Sequence, residues 1–187
     1  MIRVFVLLAF VLVCLTTYAT EPSNKDFANK ISKCVDQVYA NNDQYDSHKR
    51  IPVELVIAMS AHESAWGKSR FAIEGNNLFG IRTWDLENVP HLKAKGRPDA
   101  NWGVRKYKSW CHSVKDYIQI LHNHPAYERF REELDFQYEY LGKAEAITLV
   151  PYIEAWSEQG PLYVRLVQDI LKSLYQQDFF KKKFIKD

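Results

Sequence analysis

Several features that would have pointed to particular chemistries are missing from this 187-residue chain. There is no glycine-rich phosphate loop, and 25 Lys and Arg against 23 Asp and Glu leave a net charge of only +2, so nucleotide chemistry and phosphate-backbone binding have no support. His62-Glu63 opens like a zinc-protease helix, but the second imidazole of His-Glu-x-x-His is replaced by Trp66, which leaves one nitrogen donor on that face. His122 and His124 flank a turn without a Cys, Asp or Glu cluster suited to a metal, so no metal and no cofactor is expected. The apolar run from Val4 to Leu15 is shorter than the ~20 residues needed to span a bilayer. It follows a cationic Arg3 and precedes Thr17-x-Ala19, a small-x-small cleavage pattern, so residues 1–19 are expected to be a secretory signal. The alternative is an uncleaved anchor that leaves the protein associated with a membrane through its N-terminus.

Cleavage removes Cys14, so two of the three cysteines stay, Cys34 and Cys111. An exported protein permits a disulfide between them, and two separate buried thiols are the alternative. The remaining length suits one domain with a substantial core, expected over residues 20–180, ahead of a basic tail at 181–187. Lys181 to Lys183 read as a solvated tail with at most a salt-sensitive attraction to anionic envelope polymers.

Helical periodicity dominates what is there. Phe27, Ile31, Cys34, Val35 and Val38 mark an amphipathic helix capped by Ser23 and Asp26. A second helix starts near Pro52 and carries apolar residues nearly all the way round, so it should run through the protein's middle and end at Gly67. Glu63 then falls in the last turn of a buried helix. Loss of water and the negative end of the helix dipole both disfavour its ionised form, as a general acid requires. Its bland alternative is a helix-end salt bridge with Arg70 or Lys68. From Phe71 to Trp110, Gly, Pro and Asn break helical periodicity, and loop with short antiparallel strands is expected, IRTW and WGVRKY among them. Helices return from Ser109, around Glu128 to Phe136, from about Lys143 to Trp156, and from Pro161 through Leu174. The expected class is mainly α (α+β), with a small β-rich insertion after the central helix.

HESAWGKSRFAIEGNNLFGIR resembles the signature of the glucosaminidase domain, also called mannosyl-glycoprotein endo-β-N-acetylglucosaminidase-like, of bacterial autolysins and flagellar peptidoglycan hydrolases. The match runs through Glu63-Ser64-x-Trp66-Gly67-x-Ser69 and Asn76-Asn77-Leu78-Phe79-Gly80. YKSWCHSVKDYIQILHNHPAY and WSEQGPLYV resemble the Bax-type branch, with Trp156 standing where that pattern has Tyr. The resemblance covers roughly residues 25 to 175. It implies a lysozyme-like helical domain, Glu63 as general acid, and cleavage of the β-1,4 bond after N-acetylglucosamine in peptidoglycan glycan strands. An exported monomer in the periplasm or cell envelope follows from this together with the N-terminus.

For the second catalytic role many members of the resembled family use an acid in the insertion. Asp85, Glu87 and Asp99 stand there without a close match to the surrounding pattern. Asp85 and Glu87 are the candidates, and the substrate's own N-acetyl group is the alternative nucleophile. Tyr163 matches the last Tyr of the Ser-x-x-Gly-x-x-Tyr pattern and either stabilises charge in the cleft or simply packs. Ser64, Asn76 and Asn77 are candidate sugar contacts, although either asparagine could instead cap the turn after Gly75. Trp66, Phe79, Trp84 and Trp102 offer flat faces for pyranose rings, with Trp66 the one expected mostly in the core. His62 projects about 100° away from Glu63 on an ideal helix and is not expected to share in catalysis. A muramidase or lytic transglycosylase on the same scaffold, and a non-catalytic glycan-binding module, are the competing functions.

Overall fold

The computed structural model describes residues 23–40, 49–97 and 99–177; residues 1–19, expected as a signal segment, and 181–187, expected as a basic tail, lie outside the described residues. Helix α1 (Asn24–Ala40) begins as its sequence dictates. The Ser23 hydroxyl accepts from the Asp26 amide at 3.2 Å while the Asp26 carboxylate takes the Ser23 amide at 3.1 Å, a reciprocal cap. Helix α2 (Val53–Ser64) runs through the centre, with every residue from Leu55 to Ala61 buried. It packs against α1 on one side and against α7 (Pro161–Gln176) on the other. On α7, Tyr163, Val167, Leu171 and Leu174 face the core, while Leu162 and Leu166, apolar as they are, lie on the exposed side.

The centre of the chain holds more structure than its broken periodicity suggested. A six-residue helix, α3 (Arg70–Gly75), precedes the sheet, with the Ser69 hydroxyl accepting from the Ala72 amide. Three short strands follow, β1 (Arg82–Thr83), β2 (His91–Leu92) and β3 (Gly103–Arg105), in the antiparallel order β1-β3-β2. Arg82 pairs with Val104 and His91 with Arg105. The sheet is tied to α4 (Trp110–Asn123) where Asp116 accepts from the Arg105 guanidinium at 2.7 Å and the Tyr107 hydroxyl at 2.6 Å.

Helix α4 packs along α1, and a disulfide joins Cys34 of α1 to Cys111 of α4. Ser109 precedes α4, but its hydroxyl meets the His112 ring at 2.9 Å and caps no amide. A 3-10 turn (Pro125–Tyr127) leads into α5 (Glu128–Leu141). The stretch expected as one helix up to Trp156 is instead a short α6 (Ala146–Leu149) followed by a 3-10 segment (Val150–Trp156). Pro151 explains the change, because its ring and missing N–H prevent α-helical bonding from continuing. Among the described residues no helix is long and apolar enough to cross a membrane.

Candidate active site

Helix α2 ends one residue after Glu63, earlier than Gly67, and its exit is unusual. Ala65, Trp66 and Gly67 are all left-handed, at φ 51°, 59° and 80°. Two of these are non-glycine residues in a region that costs of order 1 kcal/mol each. Hydrogen bonds hold the coil: the Ser64 hydroxyl donates to the Ser60 carbonyl and accepts from the Gly67 amide at 2.7 Å, and the Trp66 amide donates to the Ala61 carbonyl at 2.9 Å. A Cβ at Gly67 would lie 2.5 Å from the Trp110 ring, so the closing residue has to be glycine. Ser64 is therefore corrected from sugar contact to scaffold: it is fully buried and both its bonds serve the helix end.

The turn leaves Glu63 on the floor of a cleft of about 620 Å³. Phe71, Phe79, Gly80 and Ile81 share the floor; Arg82, Trp84, Trp102 and Val104 of the insertion form one wall, and Ile120, Tyr127, Trp156, Ser157 and Glu158 the other. Phe79 is stacked on the buried Tyr117 with ring centres 4.2 Å apart, and Trp156 meets Tyr117 edge-on at 5.0 Å. Gly80 lies next to the acid, where a Cβ would be 3.8 Å from a Glu63 carboxylate oxygen, and its φ of +68° favours glycine there.

Burial raises the Glu63 pKa above its ordinary value of 4.5, and a hydrogen bond with the Tyr163 hydroxyl acts in the opposite, weaker direction. Arg70 does not neutralise the acid, since it pairs with Glu74 at 3.1 Å. Tyr163 lies beneath Glu63, 1% exposed, and its single hydroxyl hydrogen has two acceptors in reach, the Glu63 carboxylate and the Met59 sulfur 3.1 Å away. Burial and the adjacent carboxyl hold the Tyr163 phenol far above its usual range, so it remains a neutral O–H. It is thus placed to orient the acid and does not itself line the cleft. Tyr127 does line it, and burial with the nearby Glu63 pushes its phenol up to about 12. His62 turns aside with its ring edge-on to Tyr163 at 5.2 Å, and burial lowers its pKa.

Other sequence candidates are placed elsewhere. Asn77 is 1% exposed and donates to the carbonyls of Ile81 (2.9 Å) and Arg105 (2.8 Å), while its own carbonyl accepts from the amides of Phe79 and Ile81. That uses the full capacity of a side-chain amide and leaves nothing for a sugar. Asn76 ends α3 at φ 52° and donates to the Tyr107 carbonyl. Both asparagines fasten the insertion, and Trp66 packs edge-on against Phe27 at 5.7 Å away from the cleft. Asp85 is fully exposed, its carboxylate held below the usual range by the Asn88 amide, and Glu87 is exposed beside it; neither lines the cleft. Trp84 and Trp102 do, although Arg82 covers one face of Trp102 at 4.1 Å. Among the described residues, the carboxylates on the cleft lining are Glu63 and Glu158. Glu158, Tyr127 and Trp156 were overlooked as site residues although the family-like stretches contain all three.

A central helix delivering an acid to a cleft, with a small antiparallel sheet as one wall, defines a lysozyme-like domain. Residues 39–176 match the Glucosaminidase family, described as mannosyl-glycoprotein endo-beta-N-acetylglucosaminidase, and the chain belongs to it. It is 30% identical over 132 residues to Protein bax of Escherichia coli, covering 68% of this chain and 43% of that protein. It is also 32% identical over 97 residues to a putative endo-beta-N-acetylglucosaminidase of Streptococcus pneumoniae, covering 51% of this chain and 14% of the relative. The chain thus spans less than half the length of either. The fold is shared with the glycoside hydrolase domain of Salmonella typhimurium FlgJ (TM-score 0.57, 19% identity, 82% of this chain and 99% of that one). It is shared too with the catalytic domain of the Listeria monocytogenes autolysin Auto (TM-score 0.60, 18% identity, 87% and 91%).

Proposed function

We propose that this protein is an exported peptidoglycan hydrolase, an endo-β-N-acetylglucosaminidase whose general acid is Glu63. The observation that carries the proposal is a poorly hydrated carboxyl that itself lines an aromatic-walled cleft. Family membership and the names of the relatives support the choice of amino-sugar glycan as substrate.

Protonated Glu63 gives its hydrogen to the bridging oxygen as the bond to the anomeric carbon breaks. With Asp85 and Glu87 off the cleft, and Glu158 exposed on the rim it shares with a neighbouring depression, the substrate's acetamido oxygen supplies the electron pair that closes on the anomeric carbon, forming a cyclic oxazolinium ion and releasing the first sugar as an alcohol. Water then adds to that carbon, the Glu63 carboxylate accepts its proton, and the ring reopens to a reducing N-acetylglucosamine end. Tyr163, acting through Glu63, holds the carboxyl in place.

Digestion of intact peptidoglycan by wild type and Glu63→Gln in parallel, with fragment ends identified by mass spectrometry, tests this. Wild type should release reducing N-acetylglucosamine ends and the variant almost none. Reducing or anhydro N-acetylmuramic acid ends would assign the protein to the muramidases or transglycosylases instead. Binding to sacculi without soluble fragments would make it a binding module.

A further inference from the structure

A second depression lies beside the cleft. It has a volume of about 670 Å³ and shares Ser157 and Glu158 with the cleft lining, so the two meet along a common rim. Its character differs. The cleft sets Glu63, Arg82 and Glu158 among six aromatic side chains, whereas this groove sets Arg129, Glu154 and Glu158 around one, the Tyr152 ring.

None of these three charges takes part in an ion pair among the described residues, although opposite signs line the same groove. Their setting is firm. The Arg129 guanidinium sits 5.7 Å over the Tyr152 ring, and that ring is anchored by its hydroxyl, which donates to Glu133 at 3.1 Å. Glu133 is braced in turn by the Gln137 amide at 2.7 Å. A Glu154 oxygen lies 3.1 Å from where a Cβ on Gly160 would be, so the close backbone at this φ of +54° seats the carboxylate against the groove wall.

We infer that this groove binds the peptide branch of the substrate, with Arg129 receiving a peptide carboxylate and Glu154 and Glu158 an amine. The inference rests on the glycan-cleaving function proposed above. A cell-wall glycan backbone is neutral apart from its peptide substituents and has nothing to pair with these three charges. Those peptides carry carboxylates and, in uncrosslinked strands, a free amine, and a strand lying in the cleft projects them sideways over the shared rim. Charge-assisted hydrogen bonds to both ends of such a zwitterion fix its direction as well as its affinity.

The test uses glycan strands with their peptides intact and the same strands stripped of peptide by an amidase and then amidated at the lactyl carboxylates this exposes, cut by wild type, Arg129→Ala and Glu154→Gln. Wild type should show a kcat/KM roughly tenfold higher on peptide-bearing strands, and each variant should lose most of that preference while cutting stripped strands within about twofold of wild type. Circular dichroism and thermal melts check that the variants are folded. Equal wild-type rates on both strands, or variants slowed equally on both, would overturn the groove assignment and leave the hydrolase proposal standing. Wild type cutting neither strand would bring down both.

Discussion

The two walls of the cleft are built differently. On the helical side, Trp156 packs against Tyr117 and Tyr127, Tyr117 stacks on Phe79, and Tyr163 sits under Glu63, so each ring is held by others in the core. On the insertion side the strands have only two or three residues, and Trp84, just past β1, has 64% of its surface in solvent. Chemistry that depends on a carboxyl's protonation needs a dry, immobile setting, whereas gripping a sugar needs an accessible flat face. The difference implies that substitutions on the helical side change turnover and those on the insertion side change affinity.

The largest effect belongs to Glu63→Gln, which keeps the shape but has no proton to give; kcat should fall by at least ~1000-fold. The same variant should be no less stable than wild type. The Glu63 pKa is raised in the folded state, so the acid costs nothing below the ordinary value of 4.5 and destabilises the fold increasingly as pH rises through the folded value. The stability advantage of the variant should therefore grow between acidic and neutral pH in urea titrations, and a variant that is less stable at pH 7 would contradict a buried acid.

Tyr163→Phe comes next. Loss of one hydrogen bond to the acid should lower kcat about tenfold, since ~1–1.5 kcal/mol of positioning is removed. That bond lowers the Glu63 pKa, so its removal raises the pKa further and moves the alkaline limb of the rate profile to higher pH. A drop in kcat with an unmoved limb would mean Tyr163 only fills space.

Trp84→Ala should raise KM about five- to tenfold, change kcat by less than twofold, and leave the melting temperature nearly unchanged because the ring is exposed. If kcat falls instead, the division between the walls is wrong. The smallest effects are expected from Asp85→Ala and Glu87→Ala, within about twofold of wild type, because neither carboxylate lines the cleft. Either variant as inactive as Glu63→Gln would replace the substrate's acetamido group with a protein carboxylate.

Much of the helical frame was legible in the chain. The Ser23–Asp26 cap, the all-round burial of α2 and the inward face of α4 each depend on residues within a turn or two of one another. Helix α3 escaped because six residues carry too little periodicity to register, and β2 because two residues, His91 and Leu92, show no alternation to mark a strand. The site was legible in part for a related reason. Glu63, Trp84 and Trp102 stood out by residue type and neighbourhood, but Ser64 and Asn77 have the same donors whether they meet a sugar or a backbone. Only the approach of β3 and the left-handed coil after α2 turned those groups inward.

The sequence by itself determined a helical domain with one acid at the end of its most apolar helix, since capping and periodicity are short-range properties. Tertiary packing decided which side chains share water with that acid. It brought Tyr127, Trp156 and Glu158 across from distant segments, set Tyr163 beneath the carboxyl, and left Asp85 and Glu87 in solvent. The physical reason is that hydration and long-range contact, which control protonation and access, arise only when remote segments exclude water together.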